Sequence, residues 1–157
     1  MGEGVLMKLA EALSLRADYQ KRIAQLKDRL LINSKVQEGD VPSEDPVELL
    51  DELNQDCAEL EKLIKQINKT NSFTLVDNNS ISDMIAQKDV LALKISILRG
   101  FVKQSAERID RYSNKEIKIF STINISEKQK EIDALSKQLR ELDAKLQGIN
   151  WTTEIME

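Results

Sequence analysis

Apolar residues recur along this chain at spacings of three and four, over stretches far too long for strands. That is the period of an amphipathic α-helix burying one stripe. Four such stretches stand out. The first predicts a helix over residues 5–32. Leu6, Leu9, Leu13, Ala17, Gln20 and Ala24 share one of its faces, and Leu15, Tyr19, Ile23, Leu26 and Leu30 a neighbouring one. The second stretch covers 46–68, where Leu50, Leu53, Cys57, Leu60, Ile64 and Ile67 are spaced as a heptad seam. The third is the longest, 81–112. Ile81, Met84, Lys88, Leu91, Ile95, Leu98, Val102, Ser105, Ile109 and Tyr112 form one stripe, and Ile85, Val90, Leu93, Ile97 and Phe101 a second. The fourth is capped by Ser126, buries Ile132, Leu135, Leu139, Leu142, Leu146 and Ile149, and stops at Gly148.

The joints between these stretches carry their own signals. Residues 33–45 hold Gly39, Pro42 and the acidic Glu38, Asp40, Glu44 and Asp45, which reads as a loop. Asp45 then has the features of an N-cap. Pro46 follows at the first helical position, and Glu48 completes a capping box. Phe73 to Val76 is strand-like and Asp77 to Asn79 turn-like. Ser80 and Asp83 form a second capping box. Residues 116–125 alternate in β fashion with one slip, through Ile117, Ile119, Phe120, Ile123 and Ile125. The third helix, at ~1.5 Å per residue, separates these two extended segments by roughly 48 Å. Any sheet is therefore expected to pair between subunits or to be a short local ribbon. The fold class that results is mainly α: an antiparallel bundle of four long, coiled-coil-like helices, with short extended segments near 73–76 and 116–125. A single domain over 1–157 is expected, with 1–6 a disordered or upstream extension. Gly100, inside the third helix, is read as a point of close helix approach, with a mild kink as the rival.

Composition sharpens this picture. Aromatic residues are 4% of the 157 and charged residues 32%, which suits thin helical packing better than a thick globular centre. Net charge is −4, so nonspecific nucleic-acid binding is not expected. Residues 1–31 hold six basic and four acidic side chains, and residues 32–71 four basic and ten acidic. Adjacent helices of those signs would attract. No apolar run approaches the ~20 residues of a transmembrane helix. The start, MGEGVLMKLAEAL, lacks the apolar core of a secretory signal. A single cysteine permits no intrachain disulfide, and a cytoplasmic location is expected.

Little chemistry is visible. There is no histidine, which removes the commonest general base and metal ligand and leaves Cys57 without an activating partner. Cys57, inside the second stripe, reads as a small buried hydrophobe. Lys88 reads as a snorkelling edge residue. Asp51, Glu52, Asp56 and Glu59 read as solvated charge rather than a carboxylate metal site. No catalytic residue, metal site or cofactor is expected. The remaining candidates are polar residues at helix ends: Asn68, Asn71, Asp110, Arg111, Tyr112, Glu116, Trp151 and Thr152. Capping and turn chemistry explains them most simply. The functional reading is a polar pocket with Arg111 as an anion contact and Trp151 as a wall.

Several pieces together, MKLAEAL at 7–13, KVQEGD at 35–40, EDP at 44–46, INKTN at 67–71, DRYS at 110–113, EIK at 116–118 and NWTTE at 150–154, resemble a family of small uncharacterised bacterial helical proteins, some labelled septicolysin. The resemblance implies a shared helical fold and a bacterial source. It implies no established activity and no catalytic residues.

Three functional readings follow. The first is a soluble, self-associating interaction or scaffold protein, a homodimer or higher homo-oligomer, with Val90, Leu93, Ile97 and Phe101 at the interface. The second is a small-ligand binder or enzyme using the helix-end polar cluster. The third is the membrane-active cytolysin that the family label implies. Whether the chain is an enzyme is left open by the sequence, with the balance of these readings against it.

Overall fold

A computed structural model describes residues 6–107 and 117–157 of the chain. The element order is α1 (Leu9–Ile32), α2 (Pro46–Phe73), β1 (Leu75–Val76), β2 (Asn79–Ser80), α3 (Ile81–Ala106) and α4 (Ile125–Thr152). The protein is thus mainly helical, with one two-stranded antiparallel sheet. It divides into two compact units. One runs to Ile81 and takes back Gln147–Glu157, and the other is Ser82–Leu146.

In the first unit α1 and α2 pack as an antiparallel hairpin. The predicted helix starting at residue 5 begins instead at Leu9. The chain just before it, at Met7 and Lys8, is held by the C-terminal tail, with Lys8 extended and bridged to Glu154. Leu9 N–H donates to the Thr153 carbonyl and Ile155 N–H to that of Met7, both at 2.8 Å. Lys8 N–H then donates to Glu11 Oε2 at 3.0 Å, which closes the first turn of α1. Leu9, Ala12 and Leu26 are the buried residues of α1.

α2 starts where the sequence puts it. Asp45 Oδ1 accepts from Val47 N–H at 2.9 Å, and Pro46 occupies the first helical position. The inward face differs from the expected seam. Leu49, Leu63, Ile67 and Thr70 are buried, whereas Leu50 and Cys57 are exposed. The core register is 49, 53, 56, 60, 63, 67 and 70, spaced 4,3,4,3,4,3. It shares Leu53, Leu60 and Ile67 with the expected seam and turns Cys57 outward, so Cys57 is not the buried hydrophobe expected. α2 also runs past residue 68 to Phe73, with Thr70 fully covered beyond the expected end.

The strand-like segment is a local ribbon. Leu75 pairs with Ser80 and Val76 with Asn79. Asp77 and Asn78 have φ of 51° and 66°, the left-handed pair a type I′ turn requires and that Asp and Asn tolerate.

In the second unit α3 and α4 form another antiparallel hairpin. Ile95, Val102 and Ile132 make its core, flanked by Leu91, Leu98, Ile123, Ile125, Leu135 and Leu139. The α3 stripe is buried or half-buried from Met84 to Ser105. Among the described residues α3 ends at Ala106, and Ile109 and Tyr112 lie outside them. Lys88 Nζ reaches Asp143 Oδ1 at 2.8 Å, as an edge residue paired across the hairpin. A Cβ at Gly100 would meet nothing within 4 Å, so among the described residues the expected close helix approach is not found there. The cap of α4 is Asn124, not Ser126: its Oδ1 accepts from Glu127 N–H at 3.1 Å. Gly148 does not stop α4, which continues through Trp151 to Thr152. Residues 117–124 contain no strand, so the β alternation expected over 116–125 is not expressed in its described part.

Candidate functional site

Two places combine exposed or unusual chemistry. The first is the outer face of α3. Val90, Leu93, Ile97 and Phe101 are 65, 60, 62 and 44% exposed. Apolar side chains left this accessible on consecutive turns of one helix are uncommon on a surface and mark contact sites. At 3.6 residues per turn this face lies roughly 140° from the buried Ile95–Val102 face. The helix is therefore apolar on two sides, and one of them has α4 against it. Asp89, Lys94, Ser96 and Lys103 border the exposed side.

The second place is the end of α2 with the C-terminal tail. Thr70 is fully buried. Its hydroxyl donates to the Gln66 carbonyl and accepts from Met156 N–H, both at 2.8 Å. Lys69 Nζ donates to the Glu157 carbonyl at 2.8 Å, and Lys8 pairs with Glu154 at 3.5 Å. Of the expected polar cluster, Asn68 is exposed and Asn71 half-buried here. Trp151 is 63% exposed. Thr152 Oγ1 turns back onto the Gly148 carbonyl at 3.0 Å, which is helix-end chemistry. Asp110, Arg111, Tyr112 and Glu116 lie outside the described residues. An open groove of about 530 Å³ runs along α2, lined by Ala58, Glu61, Lys62, Lys65, Gln66 and Glu157. Its charges are of both signs, and Glu61 and Lys65 pair with each other at 3.6 Å.

A polar lock that sequence reasoning missed closes the other end of the α1–α2 hairpin. Arg29 Nε donates to both Glu44 carboxylate oxygens, at 3.2 and 3.0 Å, and Arg29 Nη2 forms a further ion pair with Oε1. Arg29 also lies 4.0 Å from Glu52. Asn33, 6% exposed, bonds the Arg29 carbonyl through Nδ2 at 2.8 Å. Its Oδ1 accepts from Glu44 N–H at 3.0 Å. The Arg29 hydrogen bond holds the Glu44 carboxyl below its ordinary range and raises Arg29 in turn. The opposite charge of the two segments was visible in the sequence, but the pairing was not. Further along α2, Asp56 points one carboxylate oxygen into the α2 core register with no hydrogen-bond partner among the described residues.

Comparison with known proteins places this geometry among relatives of unknown role. A crystal structure of a functionally unknown conserved protein from Corynebacterium diphtheriae is similar to this chain. The two are 38% identical with a TM-score of 0.88, over 96% of this chain and 99% of that one. No curated protein matches. The septicolysin resemblance is overturned, because both matches lead to proteins of unknown function and neither to a septicolysin-like family. Of the pieces that suggested it, KVQEGD, EDP and NWTTE sit at helix ends or turns, where capping chemistry reuses the same few residues. Among the described residues no helix is long and apolar enough to cross a membrane. Residues 16–155 match one family model, and on that match the chain belongs to DUF6847, a family of unknown function.

Proposed function

We propose that this protein is a helical interaction or scaffold element that self-associates through the outer face of α3. The observation that carries this is the row of Val90, Leu93, Ile97 and Phe101, each 44% exposed or more, opposite a face already packed on α4. Leaving such a row in water forgoes roughly 1.5–3 kcal/mol for each large side chain that could be fully buried. Association recovers part of that. On this reading the α3–α4 hairpins of two chains are joined through α3, each α4 lying on the side of its α3 away from the partner.

Size-exclusion chromatography with light scattering tests the reading, over roughly 1 μM to 1 mM. The expected result is a mass rising from one chain to two or more. Ile97→Glu is expected to leave helix content unchanged and hold the protein at one chain. A strict monomer throughout the range overturns the proposal, as does an oligomer that Ile97→Glu does not weaken.

A further inference from the structure

We infer that α3 pairs antiparallel with α3 of a second copy, about a twofold axis near Ser96, with Gly100 seated against Val90 of the partner subunit. This rests on the self-association proposed above and adds its partner geometry.

Three features of the face point to it. The exposed positions Ala86, Val90, Leu93, Ile97, Gly100 and Gln104 are spaced 4,3,4,3,4, the repeat of a helix–helix seam. Bulk is concentrated at Val90, Leu93 and Ile97, while Ala86 and Gly100 are small. Antiparallel alignment sets Leu93 against the partner's Ile97, and Val90 against the partner's Gly100, so large residues meet small or equal ones. Parallel alignment stacks glycine on glycine and leaves a gap in the seam.

Gly100 itself is the second feature. A glycine inside a helix weakens it relative to alanine. Here a Cβ would meet nothing within 4 Å, so packing among the described residues does not account for it. Close approach of a second helix does.

Charge is the third feature. Asp89 and Lys103 lie on the same flank of the seam, two heptads apart, and neither is ion-paired with another described residue. Antiparallel pairing brings Asp89 to the partner's Lys103, and the twofold axis makes that contact twice. Opposed helix dipoles favour the same direction.

The experiment uses the full chain with Cys57→Ser, since the native thiol is exposed. Single cysteines are placed at Asp89, Ser96 or Lys103, and a short bis-maleimide is added under dimer-forming conditions. The expected pattern is self-cross-linking of Ser96→Cys. Asp89→Cys and Lys103→Cys should cross-link when mixed but not alone, because like positions then stand roughly 20 Å apart along the seam. In parallel, Asp89→Lys is expected to raise the dimer dissociation constant about 2- to 30-fold, and adding Lys103→Asp to restore it.

Each single variant cross-linking with itself, or rescue by Lys94→Asp in place of Lys103→Asp, overturns the antiparallel geometry and leaves self-association standing. So does a dimer that Ile97→Glu abolishes but that none of these cysteines captures. A monomer at every concentration overturns both.

Discussion

Thr70 joins segments that are far apart in sequence with a single hydroxyl. It takes the N–H of Met156, 86 residues away, and gives its own proton to Gln66. Thr70→Val preserves the volume and leaves that N–H without a partner inside a covered site. The expected loss is about 1–3 kcal/mol, read from urea denaturation. In the sequence Thr70 lies inside the polar INKTN stretch at 67–71, and nothing sets it apart from its asparagine neighbours. A threonine among asparagines near a helix end looks like a cap, and nothing local says that a distant tail will lie on it. Gly148 is the converse case. A glycine near the end of an apolar repeat reads as a stop, yet it sits inside α4 with open space where a Cβ would go. Gly148→Ala is therefore expected to stabilise by about 0.5–1 kcal/mol in thermal or chemical denaturation. A loss of stability there would mean that the helix does end at residue 148.

Elements were legible where their ends are locally determined. α2 and α3 begin at Pro46 and Ile81 as expected, because the cap or turn lies within a few residues of the first helical turn. The α1–α2 connection required more. Asn33 and Glu44 are matched by Arg29 from the preceding helix, and that geometry exists only once α1 and α2 are antiparallel. Its pH dependence has a definite sign. Glu44 is held below its ordinary carboxylate range, so its contribution is fully present above the unfolded value near 4.5 and is lost as pH falls through the lower folded one. The raised Arg29 would lose its share only at strongly alkaline pH. Protection of residues 33–45 against hydrogen exchange, taken relative to the intrinsic rate at each pH, is expected to fall in that acid window in the native chain. In Glu44→Gln that protection is expected to be low at neutral pH already and to change little on acidification. Equal exchange in the two proteins at neutral pH would show that the lock does not hold the connection.

At the scale of the molecule, each helical hairpin has its own buried centre, and α3 shows how two neighbouring isoleucines differ. Ile95 is 2% exposed in the α3–α4 core, whereas Ile97, two positions on, is 62% exposed. Ile95→Ala is expected to cost about 2–5 kcal/mol of unfolding free energy. Ile97→Ala, measured on dilute protein, is expected to change it by less than about 0.5 kcal/mol. If both cost alike, the outer face is covered within the chain and the proposed interface is wrong. The sequence showed two apolar stripes on this helix. It could not rank them, since both satisfy the same helical period.

The sequence by itself determined the four helices, the starts of α2 and α3, the core stripe of α4, and a turn beginning at Asp77. All of these are set by helical period, capping and backbone preference within a few residues. Tertiary structure alone decided which of two neighbouring registers of α2 turns inward, and with it that Cys57 faces out and Asp56 in. It also decided that Met7 and Lys8 are held outside α1 by the tail, that Thr70 rather than its asparagine neighbours is the buried polar residue, and which face of α3 is packed. Each of those outcomes depends on what lies across from a residue, and the partner is chosen by packing between segments that are distant in the chain.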